Sequence, residues 1–497
     1  MNNEAYERLN AKLKRVHILG SVSGLLGWDE LVNLPPDSAD QRQEQSATLA
    51  EIAHEAATDS DIGALLESLE AHADSLHPDQ ATVVRLARKE YDRATKVPAE
   101  YVSRKALLDS ESYHAWVEAK RDSNFSAFAP FLSKQLDCAK EYAGYLGKAD
   151  SAYDCYIDRF DPGMDTASIA ELFDELKAEL TPIVLRILDS DTKPNTGLFK
   201  GFPIEAQSEF LTQITEDLGF NYKRGRIDTS VHPFCGGNGA DTRMTTRFDE
   251  DNPLDSLFSA IHETGHGLYE QGLPLDSLHN ALGQAAGMGA HESQSRLWEN
   301  QVCRSRAFWN RYEPNFRDRF SNQLEGVSSE ELYLAINAVS RNPIRVDSDE
   351  VTYNLHIVIR FELEKLLFEG SLKVEDLPSA WNELYRELLG IDPADDGEGV
   401  LQDVHWSDGS FGYFPSYCLG NMLAAQLWYA ALKDMPDLES DLEQGRFECL
   451  LAWLREKVHR HGMRYGLLEL SRQATGEELS PKSLIRYLKE RYLPLYS

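Results

Sequence analysis

Apolar residues recur at helical spacing along most of the chain. Over 3–26 they fall at Tyr6, Leu9, Leu13, Val16 and Leu19, three or four apart, which predicts an amphipathic helix. The run Leu34-Pro35-Pro36-Asp37-Ser38 predicts a turn. Helical patterning resumes over 40–58 and over 79–96, which Pro98 ends, then over Ala99–Ala119, Ala127–Leu146 and 167–189, with a turn at Asp161-Pro162-Gly163. Further helices are expected at 254–271, 291–310, 329–339, 350–369, 376–389, 416–433, 440–460 and 481–490. One stretch departs from this. Over 226–249, Thr, Val, Phe and Arg recur around Cys235-Gly236-Gly237-Asn238-Gly239, which predicts a β-hairpin or small sheet. No repeat, low-complexity tract or linker interrupts the chain. The expectation is a mostly α protein forming one body, with helices over about 1–225, a middle part over about 226–420 and closing helices over 421–497.

Composition changes this picture little. Of 497 residues, 42% are hydrophobic, enough for a sizeable core. Acidic residues outnumber basic ones 82 to 50, for a net charge of −32. Nucleic acid and anionic membrane are usually met by Lys/Arg clusters, so neither is expected as a partner. The six cysteines are scattered without a CxxC pair, which fits free thiols in a reducing compartment. The opening MNNEAYERLNAKLKRV is charged and has no apolar signal-peptide core. The longest apolar candidate, Cys418–Leu432, is interrupted by Gly420, Asn421 and Gln426 and falls short of the ~20 residues of a membrane helix. It reads as a buried helix, and the protein as cytoplasmic.

The chemistry concentrates in Ile261-His262-Glu263-Thr264-Gly265-His266-Gly267. Pro253 fits the first helical position, after Asp251 and Asn252 as cap candidates. Residues four apart share a helical face, so His262 and His266 can aim at one ion. Glu263 lies beside the first ligand and can act on a water without being a ligand, which is the HExxH arrangement. A catalytic zinc takes three protein ligands. Glu292, in His291-Glu292-Ser293-Gln294, opens the next helical segment, and a helical hairpin would return it to the two histidines. His291 competes for that place, and Glu270 more weakly.

Several blocks in order resemble the carboxypeptidase Taq family of zinc metallocarboxypeptidases. They are His232-Pro233-Phe234, Asp241-Thr242-Arg243-Met244-Thr245, the HExxH segment, His291–Gln294, Ile344-Arg345 with Asp349, and Gly399-Val400-Leu401-Gln402-Asp403-Val404-His405-Trp406. Gly27-Trp28-Asp29 and Pro35-Pro36 also look family-like. One departure is Ser348, where the family's IRxxAD block carries Ala. The resemblance implies a helical fold in two lobes around a deep cleft, with a small sheet beside the metal. It also implies a cytosolic homodimer that removes residues one at a time from peptide C-termini, with broad preference, and that accepts cobalt in place of zinc.

Under that resemblance Glu263 is the general base. A donor to the oxyanion is sought in the Gly-rich loop 405–417, with Tyr413 ahead of Tyr417 and His405 bonding substrate or oxyanion. A cation must hold the substrate's C-terminal carboxylate, and an Arg fork suits it. Arg345 is the first choice and Arg243 the second, while His232 is either a cap or a substrate contact. Asp241–Thr245 could pair with substrate backbone if it forms a sheet edge. Two other readings share the motif: a helical endopeptidase or aminopeptidase acting on short peptides, and a helical scaffold with a structural metal. Structural sites are usually closed by four ligands, often Cys, which tells against the last.

Overall fold

The computed structural model describes residues 2–497, and helices dominate it from Asn2 to Tyr492. Most expected helices form near their predicted bounds, including Asn2–Val32, Ala39–Ala57, Pro78–Lys96, Ala99–Arg121 and Thr166–Leu188. Two predicted helices are broken. The 291–310 pattern divides into Met288–Arg296, a wider-wound turn over Leu297–Val302, and a fresh helix at Arg306–Arg319. Ser305 starts that last helix by accepting a bond from the Phe308 amide. The 440–460 pattern divides at Gln444-Gly445-Arg446, where Gly445 takes φ +77°, a conformation costly for any side chain.

The expected hairpin is part of a three-stranded sheet: β1 (Gly225–Thr229), β2 (Cys235–Asn238) and β3 (Asp241–Thr246), in the order β1-β3-β2. β3 runs parallel to β1 and antiparallel to β2. The β2–β3 turn is closed by the Asn238 side chain, which accepts from the amides of Ala240 and Asp241. β3 is the middle strand, so both of its edges are already bonded. This corrects the expectation that Asp241–Thr245 offers an open edge to substrate.

One continuous apolar core draws on residues from Ala119 to Tyr496. A smaller cluster joins Tyr6, Leu9, Ile62, Leu65, Leu66, Leu69, Val83, Val84 and Leu282 near the start of the chain. The apolar run around Cys418 is the helix Pro415–Asp434, buried along most of its length. No helix among the described residues is long and apolar enough to cross a membrane.

Candidate metal centre

The helix Pro253–Gly272 carries His262, Glu263 and His266. Pro253 does open it, but Asn252 makes no side-chain cap bond. Its inner side is apolar at Leu257, Phe258, Ile261 and Leu268, all buried, which anchors the helix and turns the histidines to the opposite side. The helix Met288–Arg296 packs across it and brings in Glu292.

Two glycines make this approach possible. A methyl on Gly265 would lie 2.5 Å from Ser295 Cα, and one on Gly420 would lie 2.6 Å from Cβ and Cγ of Glu292. The Glu292 helix is thus gripped between the HExxH helix and the helix Pro415–Asp434. Gly420→Ala should cost about 1–3 kcal/mol of stability through overpacking and should weaken metal binding by displacing Glu292. Melting temperature and metal titration together check this, and an unchanged affinity would count against it.

His262, His266 and Glu292 place one donor atom each within 4.8 Å of one another. Glu292 Oε2 lies 3.5 Å from His262 Nε2 and 3.4 Å from His266 Nε2. A tetrahedral ion with bonds of about 2.0–2.1 Å separates its donors by roughly 3.3–3.4 Å, so the spacing suits one divalent ion. The two histidine side chains are mostly buried, at 18% and 13% exposure, so the triad keeps only a narrow opening to solvent.

Each donor is steadied from behind. His262 Nδ1 lies 2.9 Å from Glu299 Oε2. Arg296 donates to Glu292 Oε1 (2.7 Å) and to Glu299 Oε2 (3.1 Å), and Arg304 pairs with the other Glu299 oxygen. His266 Nδ1 meets His291 Nδ1, and His291 Nε2 lies 2.9 Å from Glu270 Oε1. His291 and Glu270, the two competitors for the third place, therefore stand behind His266, outside the donor set.

The charges follow from this packing. Burial alone would raise the Glu292 carboxyl, but Arg296, His262 and His266 outweigh burial and hold it well below the usual range. Burial pulls His266 down to about 3, so it is neutral and able to ligate at pH 7. Burial also pulls on His262, yet Glu292 and Glu299 together raise it. Glu263 is not in the donor set, and burial pushes its carboxyl up to about 7.

A second cluster adjoins the triad through Tyr353, whose ring lies under both Arg296 (4.6 Å) and Arg345 (5.9 Å). Arg345 is buried, and its Nε and Nη2 donate to Asp403 Oδ1 at 2.9 and 2.7 Å, while Nη1 donates to the Tyr353 hydroxyl at 3.0 Å. Arg360 pairs with the other Asp403 oxygen. A guanidinium has five donors, so Arg345 retains one on each terminal nitrogen. Ser348, in place of the family's Ala, donates to the Arg345 carbonyl at 2.6 Å and so braces that turn. Tyr417 stacks near Arg345 (5.2 Å) and packs edge-on to Tyr413 (5.3 Å), and burial, with a smaller contribution from Glu292, raises the pKa of both hydroxyls. His405 lies beside Tyr413 (5.3 Å), with its Nδ1 buried and unpartnered among the described residues.

Arg243 and His232 lie apart from these clusters. Arg243 pairs with Asp241 and covers the Trp28 ring at 4.3 Å. His232 is exposed, and its carbonyl accepts from Ser230.

Several supporting residues escaped sequence reasoning. Glu299 was visible only as one charge between Arg296 and Arg304. Asp161 read as part of a turn, yet it accepts from the Gly289 amide (2.7 Å) and Ser416 hydroxyl (2.6 Å), tying the Glu292 helix to Pro415–Asp434. Glu364 accepts from Tyr153, Trp406 and the Gly412 amide, which fixes the loop carrying His405 and Tyr413. No periodicity marks such residues, because their partners lie far away in the chain.

Residues 8–492 match the family described as carboxypeptidase Taq (M32) metallopeptidase. The chain is 40% identical over 486 residues to carboxypeptidase 1 of Bacillus subtilis, covering 97% of each chain. It is 40% identical over 505 residues to thermostable carboxypeptidase 1 of Thermus thermophilus, covering 99% of each. Its structure is similar to an M32 carboxypeptidase from Deinococcus radiodurans R1, with TM-score 0.95, 41% identity and 99% of both chains covered. It is also similar to metallocarboxypeptidase 1 of Trypanosoma cruzi, with TM-score 0.94, 31% identity and 99% of both chains covered.

Proposed function

Since this chain belongs to the carboxypeptidase Taq (M32) family and is a metal-dependent carboxypeptidase, we propose that its ion is zinc held by His262, His266 and Glu292. The observation that carries the assignment is the convergence of three donors, with Glu292 Oε2 at 3.5 and 3.4 Å from the two histidine Nε2 atoms, each donor braced from behind. The His/Glu set suits zinc and also admits cobalt. When bound, the ion supplies Lewis acidity that makes a water nucleophilic at neutral pH and polarises the scissile carbonyl.

The protein's own residues do the rest. Glu263, buried beside the triad, takes the proton of the attacking water and passes it to the leaving amine. Its raised pKa suits both halves of that transfer. The Tyr413 hydroxyl, backed by Tyr417, donates to the developing oxyanion, and His405 assists from the same loop. Arg345 holds the substrate carboxylate with its two remaining donors. Support comes from charge: Arg345 and Arg360 share one carboxylate, Asp403, which leaves this buried ion-pair group with a surplus positive charge. Arg243 and His232 remain candidates for contacts farther along the peptide.

Broad preference for the released residue is part of this reading. So are a cytoplasmic location, which the six free thiols support, and a homodimer. Ile18, Val22 and Leu25 leave an apolar strip exposed on the first helix, which supports a subunit contact there. The shared core from Ala119 to Tyr496 supports reading the chain as one catalytic domain.

Two N-blocked peptides, alike except for a free acid or an amide at the C-terminus, test the clamp. The wild type should shorten the acid stepwise and spare the amide. Arg345→Met should lower kcat/KM on the acid by roughly 10²-fold, since a buried charge partner is lost. A variant that keeps the full preference for the acid would remove Arg345 from this role.

A further inference from the structure

We propose that Glu270 and His291 are positioning residues that set the tautomer of His266, so that its ligand nitrogen is bare before any metal arrives. The inference rests on the metal reading above and concerns residues outside the donor set. The three side chains form a chain of contacts: Glu270 Oε1 to His291 Nε2 at 2.9 Å, His291 Nδ1 to His266 Nδ1, then His266 Nε2 toward Glu292 Oε2 at 3.4 Å. Their side-chain exposures are 17%, 17% and 13%, so water competes little for these bonds.

Hydrogen-bond polarity then runs one way. A carboxylate only accepts, so Glu270 requires the His291 proton on Nε2. With a single proton on the His291 ring, its Nδ1 is the acceptor and His266 donates from its own Nδ1. The remaining lone pair of His266 sits on Nε2, the nitrogen that faces the triad. His262 reaches the same tautomer in one step, with Nδ1 directly on Glu299. Carboxylate–histidine pairs behind a ligand are a general device for fixing its orientation. Here the carboxylate acts through a second imidazole, with His291 adjacent in sequence to Glu292 and Glu270 one turn beyond His266 on the same helix.

The test uses full-length protein stripped of metal and titrated with Zn²⁺ against a chromophoric chelator. Glu270→Gln is isosteric, yet its amide can donate to His291 Nε2. The chain can then reverse, moving the His266 proton onto Nε2. Zn²⁺ affinity should fall on the order of 10–100-fold while the melting temperature of the metal-free protein is unchanged. Histidine ¹⁵N spectra of the metal-free wild type should show His266 protonated on Nδ1 and His291 on Nε2. Wild-type affinity in Glu270→Gln, or a wild-type His266 protonated on Nε2, would overturn the proposal. A Zn²⁺ affinity that His266→Ala leaves intact would instead overturn the metal reading, and this proposal with it.

Discussion

Glu263→Gln is expected to lower kcat by roughly 10²–10⁴-fold on any peptide the wild type cleaves, the usual contribution of a positioned proton-transfer group. The change keeps shape and volume and removes only the ability to accept a proton and return it. Glu263 lies on the metal-bearing helix but outside the three-donor set, so the ion should stay. Burial already disfavours its charge, so a neutral amide should not destabilise the site. The measurement is kcat beside metal content and melting temperature. Activity within tenfold of wild type would remove Glu263 as the base. Loss of metal would show that it helps to hold the ion.

Asp403→Asn should be the most destabilising single-atom exchange in the site, at about 3–5 kcal/mol, because it breaks a buried ion-pair group and leaves arginines without their counter-charge. Asp403 Oδ1 accepts both bonds from Arg345, and Oδ2 accepts from Arg360 at 2.7 Å. An amide NH₂ in either position would face donors. Activity should fall with stability, since Arg345 loses the partner that aims it. Burial alone would raise the Asp403 pKa, but Arg345 and Arg360 outweigh it and hold the carboxyl well below its ordinary value. A depressed carboxyl contributes its stability above the unfolded pKa of about 3.9 and loses it as pH falls toward the folded value. The gap in melting temperature between wild type and variant should therefore be level from about pH 5 to 8 and narrow only in stronger acid. A gap that narrows at neutral pH would mean that the pairing differs from the one described.

Much of this protein is determined locally. The 3.6-residue period places the helices, Pro253 starts the critical one, and the i,i+4 spacing puts His262 and His266 on one face whatever surrounds them. Glu292 was legible one step less directly, as the acid opening the next helical segment, because a helical hairpin through 273–289 would return it to the two histidines. The sheet was legible as β structure but not in its order. Strand order depends on which edges meet, and that put β3 in the middle.

Only the tertiary structure decided what stands behind each donor. Glu299, Arg296 and Asp403 are ordinary charges in the sequence. They become supports because the fold removes water around them, and a buried charge must find its partner wherever the chain has brought one. The same holds for Gly265 and Gly420: their meaning is the absence of a side chain at a helix crossing, and a crossing exists only after distant segments have packed. The His291 ring, read in sequence as a rival ligand, points to Glu270 and to Nδ1 of His266, a matter of packing that no spacing rule contains.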